Sequence, residues 1–367
     1  MSIGDAEAVR PPRAPARPDD AAPEISLAGP WSIAWRRLRR DRIALASGIF
    51  LVVLVFAVFP GAKIASVILG HGPNDLYPYA VGTYDLRPVG LWTHVPNVHQ
   101  LFPTNSDTDL APPPPKGTPT TLFLVGADGP LGRDLFLRAL YGGQVSLEVG
   151  VGATLVALLI GVTLGILAGW LGGLVDGVVS RLTDLVMALP ILLLLLMVGT
   201  GLGDGLRGWT FWGVLNRGVF QLMLLIGAFT WYYPARIVRS QMLSLRHREF
   251  VEAASMVGAR GTRIVRRHLF PHLVPSLVVY GTIMVATALM LEVGVTFLGA
   301  GIELPTSSWG SLLQQQWGSV LNPTVTTPDN FQPWPTVVPS VMIFLTVLAL
   351  NQLGEGLREA LDPAGVR

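Results

Sequence analysis

Seven consecutive residues, Glu252-Ala253-Ala254-Ser255-Met256-Val257-Gly258, lead into a basic run from Arg260 to His268 and then Pro271. The chemistry this order offers is contact rather than bond-making. Glu252 presents a carboxylate to donors on another surface, Ala253 and Ala254 are small enough for that surface to approach closely, and Gly258 can end a helix at a positive φ. Phe250, Val251, Ala254 and Val257 recur at helical spacing, which predicts a short helix over residues 249–257 with one apolar face. Other ionisable groups fall inside apolar segments, where function is first sought. Glu292 sits near the end of one, and Asp176, Arg181 and Asp184 lie in another. The spacing of Arg181 and Asp184 predicts an ion pair on one helix face.

Catalytic devices fit poorly. The only lysines, Lys63 and Lys116, are followed by Ile64 and Gly117, so the Gly-x4-Gly-Lys-Ser/Thr phosphate loop is missing. With no cysteine there is no thiolate nucleophile, thiolate metal site or disulfide. His268 and His272 stand four apart, but Pro271 interrupts the turn and no third ligand is evident. His71, His94 and His99 are expected at the surface.

The elements that must position these residues are membrane spans. Half of the chain is hydrophobic, only 14% is charged and the mean hydropathy is +0.50, a balance outside that of soluble domains. A net charge of +2 gives no basis for nucleic-acid binding. Six segments approach or exceed the roughly 20 apolar residues a spanning helix needs: residues 43–60, 145–170, 174–198, 219–237, 273–298 and 334–353. The first is expected to be retained rather than cleaved as a signal peptide. Pro190 and Pro275 predict kinks, and Gly161, Gly165 and Gly169 form a small-residue stripe suited to close helix packing, within the subunit or, as the alternative, against another subunit.

Arginine sets the expected orientation. Five arginines lie between Arg36 and Arg42 and eight between Arg236 and Arg267, whereas residues 299–333 contain no Lys or Arg. The positive-inside rule then places both termini and the Glu-Ala-Ala loop in the cytoplasm. The expected organisation is a cytoplasmic tail over 1–42, disordered over 1–24, a first span over 43–60, an extracytoplasmic insertion over 61–143, a core over 144–357 with five spans and a loop at about 238–271, and a cytoplasmic tail over 358–367. In the insertion, Leu91, Trp92, Val95, Val98, Leu101 and Phe102 are candidates for a small core.

The Glu-Ala-Ala segment, with Gly258, the basic continuation and Pro271, resembles the cytoplasmic "EAA" loop by which bacterial ATP-binding-cassette importer permeases dock on their ATPases. Gly126-Ala127-Asp128, Leu131-Gly132-Arg133-Asp134, Arg138, Tyr141-Gly142 and Ser146-Leu147 look like the "GTDxLGRDxxSRxxYGxRxSL" signature of the dipeptide, oligopeptide and nickel importer family. Phe297-Leu298-Gly299-Ala300-Gly301, Ser308-Trp309-Gly310, and Asn351, Gly354, Leu357-Arg358 and Leu361-Asp362-Pro363 are similar to its later blocks. Together they cover the chain from Gly126 to Pro363 and point to the "C"-type permease of the pair. The departures are Ala127, Leu137, Gln144, Thr296, Glu355 and His272.

The resemblance implies an all-α integral membrane subunit with the type I importer permease fold, six transmembrane helices and a long insertion between the first two. It implies a multi-pass protein of the bacterial cytoplasmic (inner) membrane that is not an enzyme. Expected partners are a homologous second permease, two cytoplasmic ATPase subunits carrying ATP and Mg, an extracytoplasmic solute-binding protein and the lipid bilayer. No cofactor is expected in this chain. Glu252, Ala253, Ala254 and Gly258 would couple to the ATPases, and Glu292 is the candidate for the translocation pathway. The expected cargo is di- or oligopeptides, with oligosaccharides or another small solute as the alternative. A secondary transporter would favour inverted repeats and broken midplane helices, and a membrane hydrolase would need a nucleophile and base within the spans; neither is read from the sequence.

Overall fold

The computed structural model describes residues 35–81, 89–98, 114, 116–129, 131–201, 215–321 and 333–361. Its helices are α1 (Arg42–Leu69), α2 (Leu135–Leu171), α3 (Gly173–Ala188), α4 (Ile191–Gly201), α5 (Val219–Thr230), α6 (Tyr232–Leu245), α7 (Glu249–Met256), α8 (Gly261–Phe297), α9 (Trp309–Leu321) and α10 (Trp334–Leu361). Four of these, α1, α2, α8 and α10, are long and apolar enough to cross a membrane.

All six apolar segments fall in helices, but two are not single rods. The third divides into α3 and α4, bent by 90°. Leu189 precedes Pro190 and is extended, φ −94° and ψ 138°, as the ring of a following proline demands. The fourth divides into α5 and α6 at Trp231. Pro234 has no N–H to give the Thr230 carbonyl, so the helical ladder loses a bond at that turn. By contrast α8 continues through Pro275; its irregularity is a wide turn at Val265–Leu269, just ahead of Pro271.

Packing follows the small residues. At Gly161 an added Cβ would meet the Trp231 carbonyl oxygen at 2.5 Å, and at Gly165 the Ala235 carbonyl oxygen at 2.6 Å. The stripe therefore seats α6 against α2 almost backbone to backbone, as close-packed membrane helices require. One core unites α2, α4, α5 and α8 around Val149, Leu195, Leu222 and Val295. A second joins α1, α2, α8, α9 and α10 around Trp309 and Leu289.

The insertion carries a two-stranded antiparallel sheet, β1 (Thr93–Pro96) and β2 (Thr120–Phe123), with Thr93 opposite Phe123. Its core is Tyr77, Ala80, Val95, Phe123 and Ala127. Of the candidates from sequence only Val95 enters it. Leu91 and Trp92 are exposed, because they lie in the turn before β1, where Trp92 takes φ 54°; Leu101 and Phe102 lie outside the described residues. This is the one β-sheet among the described residues.

Candidate functional site

The Glu-Ala-Ala residues form α7, and its two faces differ sharply. Val251 is buried and Ala254 half-buried against Val238, Met242, Ile264, Leu269 and Leu273 of α6 and α8. On the opposite side Glu252, Ala253 and Gly258 are exposed, and Met256 and Val257 are 82% and 90% exposed. Glu249 and Glu252 occupy the first turn, where the helix dipole favours negative charge.

The end of α7 is closed by its own backbone. Gly258 takes φ 85°, its N–H donates to the Ser255 carbonyl at 2.9 Å, and the Ala259 N–H donates to that of Ala254 at 3.1 Å. This pair of bonds is the Schellman closure, which needs a left-handed residue at the glycine position. Val257, expected on the inner face, points outward instead, because the helix ends at Met256 and the cap turns the chain before Val257 can follow the stripe. Phe250 is also partly exposed and packs edge-on against His272, centroids 5.4 Å apart. At the base, Arg246 Nη1 donates to the Gly169 carbonyl at 3.3 Å, tying this region to the end of α2.

Glu292 lies elsewhere, on α8, with none of its surface exposed. Ser146 of α2 donates to its Oε2 at 2.8 Å and Thr296 to its Oε1 at 3.0 Å. Ser146 Oγ also accepts the Trp309 N–H at 3.2 Å. The carboxylate is thus enclosed within the subunit, at a junction of α2, α8 and α9, and the structure does not bring it near α7.

Three further pairings were not visible in the sequence. Asp184 meets Arg236 of α6 at 3.3 Å rather than Arg181 on its own helix. Asp176 is gripped by Arg239 through both carboxylate oxygens, with Nη2 at 2.8 Å from Oδ2. His71, expected at the surface, is 5% exposed and bonds Asp134 at 2.9 Å. Beside it Asp128 bonds Arg138 at 2.5 Å and Arg133 at 2.9 Å, while Gln316 of α9 donates to the Asp128 carbonyl at 2.6 Å. The residues of the signature before α2 are therefore a buried ionic staple that fastens the insertion to α2 and α9. His71 with Asp134 and Gln316 with Asp128 are 63 and 188 residues apart, which leaves no local period to read.

Residues 161–365 match the family model described as binding-protein-dependent transport system inner membrane component. Residues 29–86 match the N-terminal TM domain of oligopeptide transport permease C. The glutathione transport system permease protein GsiD of Shigella flexneri serotype 5b (strain 8401) is 31% identical over 334 residues, covering 91% of this chain and 90% of that protein. GsiD of Escherichia coli O1:K1 / APEC matches with the same identity and coverage. A solved inward-facing structure of the MetNI methionine ABC transporter is 20% identical, covers 60% of this chain and 94% of that chain, and gives a TM-score of 0.44.

Proposed function

This chain belongs to the family of binding-protein-dependent transport system inner membrane components, and from that premise we propose that it imports di- and oligopeptides, together with a second permease, using ATP hydrolysed by separate subunits. It is an inner-membrane ABC importer permease subunit and not an enzyme. In this reading two ATPase subunits bind ATP and Mg, an extracytoplasmic binding protein delivers cargo, and this chain carries no cofactor. Peptide cargo is supported by the match to a glutathione permease and to the oligopeptide permease N-terminal domain.

The observation that carries the coupling role is α7 itself. Its inner face is fixed by Val251 and Ala254, while its outer face and the tip at Met256 and Val257 are left uncovered. Exposed apolar side chains beside a basic surface, on a helix whose own backbone bonds are closed, suit a protein partner. Glu252, Ala253, Ala254 and Gly258 form or flank this surface, which lies in the cytoplasm with both termini.

The test is reconstitution of this chain with the permease, ATPases and binding protein encoded beside it. Peptide uptake coupled to ATP hydrolysis is expected; ATP hydrolysis stimulated by another cargo class, with no peptide uptake, would overturn the peptide reading. Orientation is checked by thiol labelling in the cysteine-free chain. Leu304→Cys should react with impermeant reagent from outside and Ser255→Cys only after permeabilisation; labelling of Ser255→Cys in intact cells would reverse the topology.

A further inference from the structure

Two ion pairs cross the same interface between α3 and α6, and they are built differently. Arg239 holds Asp176 through two donors, the bidentate geometry in which a guanidinium and a carboxylate satisfy each other. Arg236 reaches Asp184 through Nη2 alone, at 3.3 Å, and the two side chains are 58% and 64% exposed. The first pair is closed. The second leaves most of its donors and acceptors open.

Asp184 and Arg236 nonetheless sit at the level of apolar helix. Arg236 directly follows Ala235, whose carbonyl lies against Gly165 of α2, within the run Ala157 to Leu171 that holds no ionisable residue. Charges so placed do not face hydrocarbon; they face protein or water. Both line a cavity of about 290 Å³ with Ser180, Thr183 and Arg239. Thr183 donates its hydroxyl proton to the Val179 carbonyl at 2.8 Å, so its oxygen remains available as an acceptor. Arg239 is already neutralised by Asp176, which leaves the loosely held Arg236–Asp184 pair as the exchangeable charges facing the cavity.

We infer that Asp184 and Arg236 form a transit site for zwitterionic cargo, the guanidinium taking a carboxylate and Asp184 an ammonium group as the loose pair opens. The inference rests on the importer reading and adds a site within it. A cargo bearing both charges replaces the two partners of the pair at once, so neither charge is left uncompensated. A cargo of one sign would strand Asp184 or Arg236. A single exposed contact is weak enough to exchange.

The test uses the assembled complex with its own binding protein at saturation and three probes: a free-ended dipeptide, its C-amidated form and its N-acetylated form. Each variant is expressed as a ratio to wild type for the same probe, which cancels the selectivity of the binding protein. Arg236→Gln should slow the free-ended dipeptide by about fivefold, the upper range for an exposed charged contact, and leave the amidated form within about twofold of wild type. Asp184→Asn should do the same with the acetylated form as the spared probe. Arg236→Lys and Asp184→Glu, which keep the charges, should retain most transport of the free-ended dipeptide. Equal slowing of all three probes by Arg236→Gln and Asp184→Asn would make the pair a structural clasp and overturn the inference. Wild type moving none of the probes would instead overturn the peptide reading itself, and this site with it.

Discussion

His71 and Asp134 lie 63 residues apart and meet at 2.9 Å with neither side chain more than 1% exposed. The other ring nitrogen of His71 faces the Leu69 carbonyl at 3.1 Å. Both nitrogens therefore point at acceptors, a geometry that only the doubly protonated ring satisfies in full. Asp134 is occupied on its second oxygen as well, accepting the Phe136 and Leu137 N–H groups at the start of α2.

A pH dependence follows, with a definite sign. Burial, the largest single influence, lowers the His71 pKa, but the hydrogen bonds to Asp134 and to the Leu69 carbonyl, with the negative charges of Asp134 and Asp75, outweigh it and raise the pKa above 6.5. A raised histidine contributes stability that is complete below 6.5 and lost as pH rises through the folded value. The thermal midpoint of the purified protein should thus fall from mildly acidic to mildly alkaline pH by more in wild type than in His71→Gln. Parallel profiles for the two proteins would show that the pair does not titrate as described.

The cap on α7 separates two ways of uncoupling. Gly258→Val forces a branched residue into φ 85°, at a cost of about 1–2 kcal/mol, whereas Gly258→Asn tolerates that conformation. Glu252→Lys leaves the backbone alone and reverses a charge. Uptake and cargo-stimulated ATP hydrolysis should both collapse in Gly258→Val and Glu252→Lys at normal assembly, with Gly258→Asn intermediate. Wild-type coupling in the first two variants would remove α7 from the docking surface.

Glycines of similar sequence context should respond oppositely. A leucine at Gly165 would drive its Cβ to 2.6 Å from the Ala235 carbonyl oxygen and should destabilise the subunit by at least the 1–3 kcal/mol typical of overpacking. Gly177 on α3 has nothing within 4 Å of an added Cβ, so Gly177→Ala should be neutral or raise stability by about 0.5–1 kcal/mol through helix propensity. Thermal unfolding of both variants checks the contrast.

Glu292 is a junction, and its removal should register as lost stability before altered selectivity. Glu292→Gln replaces one of the two acceptor oxygens facing Ser146 and Thr296 with an NH2 group, leaving a buried donor without its acceptor at a cost of about 1–3 kcal/mol. The ratio of charged to neutral cargo transported should stay at its wild-type value. A shifted ratio with an unchanged thermal midpoint would put the carboxylate in the path after all.

What the sequence made legible was whatever repeats locally. Apolar runs of spanning length and the short period in residues 249–257 each carry their signal within one or two turns, and the helices appear where those signals stand. Pairings across distance carry none: Arg133 and Gln315 are separated by 182 residues, and a three-residue spacing made Arg181 look like the partner that Arg236, 52 residues away, turned out to be. Orientation at helix ends was equally hidden. Val257 keeps the period of an inner face, yet one residue of early capping turns it to the surface.

The contact between α2 and the α5–α6 run has a mechanical consequence. From Ala153, whose carbonyl lies 2.7 Å from a Cβ built on Gly227, to Gly169, whose added Cβ would lie 3.0 Å from the Arg239 carbonyl oxygen, the helices approach through backbone at the glycines, with Val156, Met223, Val238 and Met242 packed into the gaps the glycines leave. Helices this close have little room to slide past one another without a clash at the glycines. The longest of them, the 37 residues of α2, measures about 55 Å. One end is pinned by Asp134 to the insertion and the other by Arg246 to the base of α7. The base of α7 and the insertion are thereby joined through one continuous helix, so neither can shift along it without carrying the other's anchor.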